Sequence, residues 1–251
     1  MAFVGKQNSP LAKNADHIVD VSVPFMGKCP GVRTYQANLL GLMIFSIMVG
    51  ERKKIIDSEE AQKLLIELQH IPDIIDNHIQ NLQDSVAKVA KSIKLQPAIL
   101  FLGSGPSFGT AKFCAAKVCE ACSIISFGQD LEEFAHVENL CYPDDMPIFI
   151  ISPRGKSEWR AVEIAKFAQS IGKQVMILSD VNNLDFPNDL TMAAYLSATI
   201  SEQFSPLVFH IPGTLLAAHL TKELNRKLFR SDQLTTRTRY FSNTSVYDIE
   251  Y

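Results

Sequence analysis

The chain lacks most of the features that would place it at a glance. No apolar run approaches the roughly 20 residues that span a bilayer. The longest, Leu39 to Val49, reads as a buried helix of a soluble protein. The opening Met1-Ala2-Phe3-Val4-Gly5-Lys6 has no long apolar region with a cleavage site, so no signal peptide is expected. Positive charge is not in excess. The 24 Lys and Arg against 27 Asp and Glu give a net charge of -3, which excludes the basic footprint of a nucleic-acid binder. Small soluble substrates and protein partners remain, with neither nucleic acid nor a membrane among the expected partners.

Cysteine is scarce and irregular. Cys29, Cys114, Cys119, Cys122 and Cys141 are odd in number and unevenly spaced, which argues for a reducing cytoplasm rather than a disulfide framework. Cys119-Glu120-Ala121-Cys122 has C-x-x-C spacing, but no second pair completes a zinc site. Ala111, Cys114, Ala115, Val118, Cys119 and Cys122 instead follow helical spacing, the mark of one apolar stripe.

What is present is apolar weight, 47% of 251 residues, arranged in three zones. Residues 1 to about 55 suggest strands at Ala2 to Val4 and His17 to Val23, then a helix from about Val32 to Val49. That is a partial α/β unit, whose open sheet edges call for a further layer, either before Met1 or from another surface. Residues 56–95 read as a helical connection broken in two at Pro72. His78 there falls on the apolar stripe of Ile75, Ile79, Leu82, Val86 and Val89, the position of a core or rim histidine rather than a ligand.

Residues 96–251 alternate strand and helix: Ala98 to Leu102, helix 108–122, Ser123 to Phe127, helix 129–138, Pro147 to Ile151, helix 158–171, Gln174 to Leu178 and Leu190 to Leu196. A long closing helix is expected from Phe204 to about Phe229, interrupted near Pro212-Gly213. Continuous apolar strands such as Ile148 to Ile151 suit a parallel sheet covered on both faces. The expected fold is α/β: a doubly wound, flavodoxin-like parallel sheet of five strands, with ligands at the carboxyl ends of the strands.

Two loops leave strand ends with anion-binding character. Gly103-Ser104-Gly105-Pro106-Ser107 brings glycines and hydroxyls to a helix start, and Ser152-Pro153-Arg154-Gly155-Lys156-Ser157 adds cations. Gly103, Ser104, Gly105, Ser107, Ser152, Arg154 and Ser157 are therefore candidate substrate-binding residues, against the simpler reading of tight turns and helix caps. Neither loop has Walker A spacing, and Gly103-x-Gly105 lacks the third glycine of a dinucleotide fingerprint. A nicotinamide cofactor is not expected.

Glu120 lies opposite the middle of the cysteine stripe at about 100° per residue, beside Phe113 and Ala116 and aimed away from its own sheet. It is either a solvated surface charge or a general base on a face that another domain or subunit covers. His136, ending Leu131-Glu132-Glu133-Phe134-Ala135, is either structural or a proton carrier in the neutral range.

In this order the residues resemble the SIS-domain sugar-phosphate isomerase family. The matching elements are Phe101-Leu102-Gly103-Ser104-Gly105, then Ala111, Ala115-Ala116-Lys117 and Glu120, Glu133-Phe134-Ala135-His136, and Asp145-Met146-Pro147-Ile148. Residues 96–251 resemble the second SIS domain of a two-domain enzyme. Residues 1–55, through Ser9 to Asp16 and Gly31-Val32-Arg33-Thr34-Tyr35-Gln36, resemble the late part of the first, without the family's main serine and threonine phosphate loops.

The resemblance implies Glu120 as the base between C1 and C2, His136 as the ring-opening residue, and Val32 and Glu133 as further substrate contacts. It also implies a homodimer, with His136 serving a neighbour's site, and neither metal nor organic cofactor. Glucosamine-6-phosphate synthases carry a catalytic lysine near the carboxyl terminus, where this chain reads Leu234-Thr235-Thr236-Arg237-Thr238-Arg239-Tyr240. The ending, Arg239-Tyr240-Phe241 and Ile249-Glu250-Tyr251, resembles the fructosamine-6-phosphate deglycases instead. The expectation is therefore a deglycase, with an aldose–ketose isomerase or a non-catalytic sugar-phosphate-binding protein as alternatives.

Overall fold

A computed structural model describes the chain except residues 28, 181–184, 188–189, 197–199 and 231–251. Among the described residues, Met1–Ile66 with Arg230 form one compact unit and Glu67–Phe229 another. The division falls inside the zone read from sequence as a helical connection. The carboxyl-terminal motifs after Arg230 lie outside the described residues.

The first unit holds β1 (Ala2–Val4), α1 (Pro10–Lys13), β2 (Ile18–Asp20) and α2 (Val32–Arg52). β1 and β2 pair in parallel, from Ala2 with Ile18 to Val4 with Asp20. Ser9 caps α1 by accepting from the Ala12 amide at 3.2 Å, and Pro10 supplies a first-turn residue that needs no donor. Ala2, Val4 and Ala12 are buried, and Phe3 meets Phe45 of α2 edge-on at 5.8 Å.

The expectation that Leu39 to Val49 is buried fails: Ile47 is the one buried residue described in α2, while Leu40, Leu42 and Met48 are exposed. Two three-residue strands cannot cover a helix of 21 residues. By length and composition alone, α2 is also long and apolar enough to cross a membrane.

α3 runs unbroken from Ser58 to Ile93 with Pro72 inside, where the sequence suggested two helices. Proline at this position forfeits the hydrogen bond to the Leu68 carbonyl. The buried stripe nevertheless continues through it, from Leu68 and Ile71 to His78, Leu82, Val86 and Val89, and burial of that face outweighs one lost bond.

The rest of the second unit is β3 (Ala98–Leu102), α4 (Pro106–Cys122), β4 (Ile125–Gln129), α5 (Leu131–His136), β5 (Ile148–Ser152), α6 (Glu158–Ser170), β6 (Val175–Asp180), β7 (Met192–Leu196) and α7 (Ile211–Glu223). The five strands are parallel in the order β4-β3-β5-β6-β7. This is the flavodoxin-like order, and the doubly wound sheet expected from the sequence is the one observed.

Local chemistry adjusts the ends. α4 starts two residues early, because Gly105 takes a positive φ of 58° and Pro106 is preset for the first turn. The single closing helix expected from Phe204 is instead a 3₁₀ segment, Glu202–Leu207, followed by α7, with Pro212 in the first turn rather than at a break.

One face of the sheet packs Leu100, Leu102, Ile148, Ile150, Val175 and Ile177 against Leu131 and Phe134 of α5 and Ala161, Ala165 and Ala168 of α6. On the other, Phe101 and Phe149 stack at 4.9 Å. Gly213 of α7 presses on Cys114 of α4, where a β-carbon would meet the sulfur at 2.5 Å. The predicted stripe of α4 is buried at Ala111, Cys114, Ala115, Val118 and Cys122, whereas Cys119 is exposed beside Ser126 at 3.2 Å.

Candidate functional site

In this strand order the ligand crevice falls between β3 and β5, where the chain reverses direction across the sheet. The two loops singled out from the sequence meet there. Ser104, Gly105, Pro106, Lys156, Ser157, Trp159, Arg160, Glu132 and Glu202 line a cleft of about 430 Å³. Several of the candidate loop residues have structural duties. Gly103 is buried, and a β-carbon on it would lie 2.5 Å from the Ser107 carbonyl oxygen, so the tight turn itself requires glycine. Ser104 donates to Asp130 at 2.8 Å, and Asp130 caps α5 by accepting from the Glu132 amide at 2.9 Å. Ser107 is buried under that turn.

On the second loop, the Arg154 amide donates to Asp180 at 3.1 Å while the Arg154 side chain is exposed. Burial raises the Asp180 carboxyl above its usual range, opposed by that amide and by the Arg154 charge. Ser152 is buried at the end of β5 beside its register partner Ser179, and neither hydroxyl has a hydrogen-bond partner among the described residues. Ser157 precedes α6 without a side-chain cap.

Glu120 stands in the last turn of α4, facing away from the buried stripe as its spacing predicts. It is partly exposed, at 40% of its side chain, and its carboxylate pairs with Lys117 at 2.6 Å. Lys117 is nearly buried and lies 4.9 Å over the ring of Phe113. Phe113 in turn meets His210 edge-on at 5.4 Å. Burial pushes the His210 imidazole down to about 4, opposed by local backbone hydrogen bonds, so it is neutral near pH 7.

A half-exposed carboxylate beside a fixed ammonium can accept a proton from carbon while the cation steadies charge developing on a neighbouring oxygen. The i, i+3 spacing offered Lys117 as a partner of Glu120, but its burial could not be read from the sequence. His210 carried no local signal, because it comes from an element ninety residues away.

His136 is the exposed last residue of α5, and its side chain makes no hydrogen bond or ion pair among the described residues. Glu133, in the first turn of the same helix, is exposed too. Among the described residues, no hydrogen bond or ion pair joins His136 to Glu120. Val32 opens α2 in the other compact unit. Among the described residues no three His, Cys, Asp or Glu side chains converge as metal ligands.

No protein-family model matches the chain. Its sequence is similar to the isomerizing glutamine–fructose-6-phosphate aminotransferase of Rhizobium meliloti strain 1021, at 23% identity over 219 residues covering 87% of this chain. The counterpart from Brucella abortus biovar 1 is 24% identical over the same length. The chain spans 36% of the length of these relatives. Among solved structures, the C-terminal domain of glucosamine-fructose-6-phosphate aminotransferase from Francisella tularensis has a TM-score of 0.82 at 19% identity, over 90% of this chain and 64% of that one. Glucosamine-6-phosphate deaminase from Thermotoga maritima has a TM-score of 0.62 at 17% identity, over 92% of this chain and 64% of that one. The likeness to these structures shows a shared fold.

Proposed function

We propose that this protein is a sugar-phosphate enzyme in which Glu120 moves a proton between C1 and C2 of an open-chain hexose 6-phosphate. The observation that carries this reading is the Glu120–Lys117 pair, on the outward face of α4, at the place where the resemblance puts the family's base. The names of the relatives support the substrate class, since both concern hexose 6-phosphates and amino groups.

Deglycation of a fructosamine 6-phosphate is the finer reading we favour. Glu120 takes a proton from C1 and a proton returns at C2, which converts the ketosamine into a C1 imine. Water then splits the imine into glucose 6-phosphate and a free amine. The C2 carbonyl takes up the electron pair released from C1, and the amine nitrogen then supplies its lone pair as C2 is protonated, so the route calls for no cofactor. His136 assists ring opening beforehand. Its exposure and lack of a partner suit service in the site of a second copy, so the active form is a homodimer, in the cytoplasm. The absence of lysine from Leu234 to Tyr240 favours deglycation over the aminotransferase-type reaction.

The test is incubation with fructoselysine 6-phosphate, with glucose 6-phosphate as the readout, beside Glu120→Gln. Turnover that vanishes in the variant is expected. Turnover that survives it rejects Glu120 as the base. Saturable binding without turnover by the wild type favours a sugar-phosphate-binding protein instead.

A further inference from the structure

The cleft between β3 and β5 has the makings of an anion site. Gly105 and Ser157 precede α4 and α6 without side-chain caps, so the first-turn amides of two helices of 17 and 13 residues lack the usual carboxylate or hydroxyl partner. Lys156 adds a cation at the wall. Part of the wall over these loops is nevertheless a carboxylate of the protein itself. A β-carbon on Gly155 would lie 2.4 Å from Glu202 Cδ and 2.6 and 2.7 Å from its two oxygens, and one on Gly105 would lie 3.9 Å from Oε1. The Glu202 carboxylate therefore rests on both loops at once.

Its position is anchored from behind. Ser201 donates its amide to Glu67 Oε1 at 2.7 Å and its hydroxyl to Oε2 at 2.8 Å, so α3 holds the residue before Glu202 with both carboxylate oxygens. A second carboxylate, Glu132, lines the same cleft and is engaged by Arg160 at 2.7 Å.

We infer that Glu202 is a built-in anion on the wall of this cleft, set against both loops, that disfavours phosphate there. A phosphate monoester carries nearly two negative charges near pH 7 and would have to share the cradle with a fixed carboxylate. A side chain at position 155 would have to displace the Glu202 carboxylate.

The experiment titrates inorganic phosphate into the full chain and follows the amide resonances of Gly105, Gly155 and Ser157. Wild type, Glu202→Gln and Glu202→Ser are compared, with circular dichroism to confirm folding. The wild type is expected to show no saturable shift at millimolar phosphate, while Glu202→Ser binds at least about tenfold more tightly. A gain in Glu202→Gln as well assigns the exclusion to charge, and a gain in Glu202→Ser alone assigns it to volume. Both outcomes support the inference. Saturable shifts in the wild type as large as in the variants overturn it, and so does a folded Glu202→Ser that binds no better than wild type. Because the readout is binding of phosphate alone, its failure is separable from failure of the catalytic reading.

Discussion

Glu120 shows how one residue's surroundings narrow its chemistry. Spacing alone placed it on the outer face of α4, where a surface charge is the ordinary outcome. The structure adds a nearly buried Lys117 at 2.6 Å, a partner the sequence offered but could not rank above other i, i+3 pairs. Replacing the carboxylate with an amide in Glu120→Gln should lower kcat about 10²- to 10⁴-fold in a protein that still folds, measured by steady-state assay and circular dichroism. His210 makes a pH prediction. Its imidazole is shifted by burial from 6.5 to about 4, so the unfolded chain binds the proton more readily between those values. Stability is then complete above pH 6.5 and declines as pH falls toward 4, by roughly 3 kcal/mol from this group. Buried His78, also lowered to about 4, acts in the same direction, and the raised carboxyl of Asp180 acts in the opposite one. Urea unfolding at pH 7 and pH 5 should show a smaller loss for His210→Phe than for the wild type; an equal loss contradicts the assignment.

At the scale of elements, the strands were legible because each is an apolar run bounded by turn residues, and the fold class followed from their alternation with helices. What the sequence misjudged was punctuation. Pro72 lies inside α3, where a continuous buried stripe overrides one lost hydrogen bond. Replacing it should therefore stabilise the protein: Pro72→Ala is expected to gain about 1–3 kcal/mol in urea unfolding. Close approaches were equally invisible, since a glycine's contacts lie far away in sequence. A β-carbon on Gly128 of β4 would stand 2.4 Å from the Lys112 backbone of α4, so Gly128→Ala should cost about 1–3 kcal/mol or more by the same measurement. The candidate loops follow this pattern. Their glycines were visible in the sequence, while the carboxylate of Glu202 that lies on them was not.

For the whole molecule, the fold of the second unit and the outward aim of Glu120 follow from patterns that any reader of the sequence can count. The assembly around them does not. Exposed His136, the exposed residues of α2 and the placement of Val32 in a separate compact unit all concern surfaces that local spacing does not address. The chemistry proposed for the site is nonetheless local: Glu120 exchanges a proton with carbon next to a sugar carbonyl. It is tested most directly by incubating fructose 6-phosphate with the protein in deuterium oxide and following C1 by proton NMR. Deuterium should enter at C1 with the wild type and not with Glu120→Gln. Equal incorporation by both proteins, or none by a folded wild type, contradicts it.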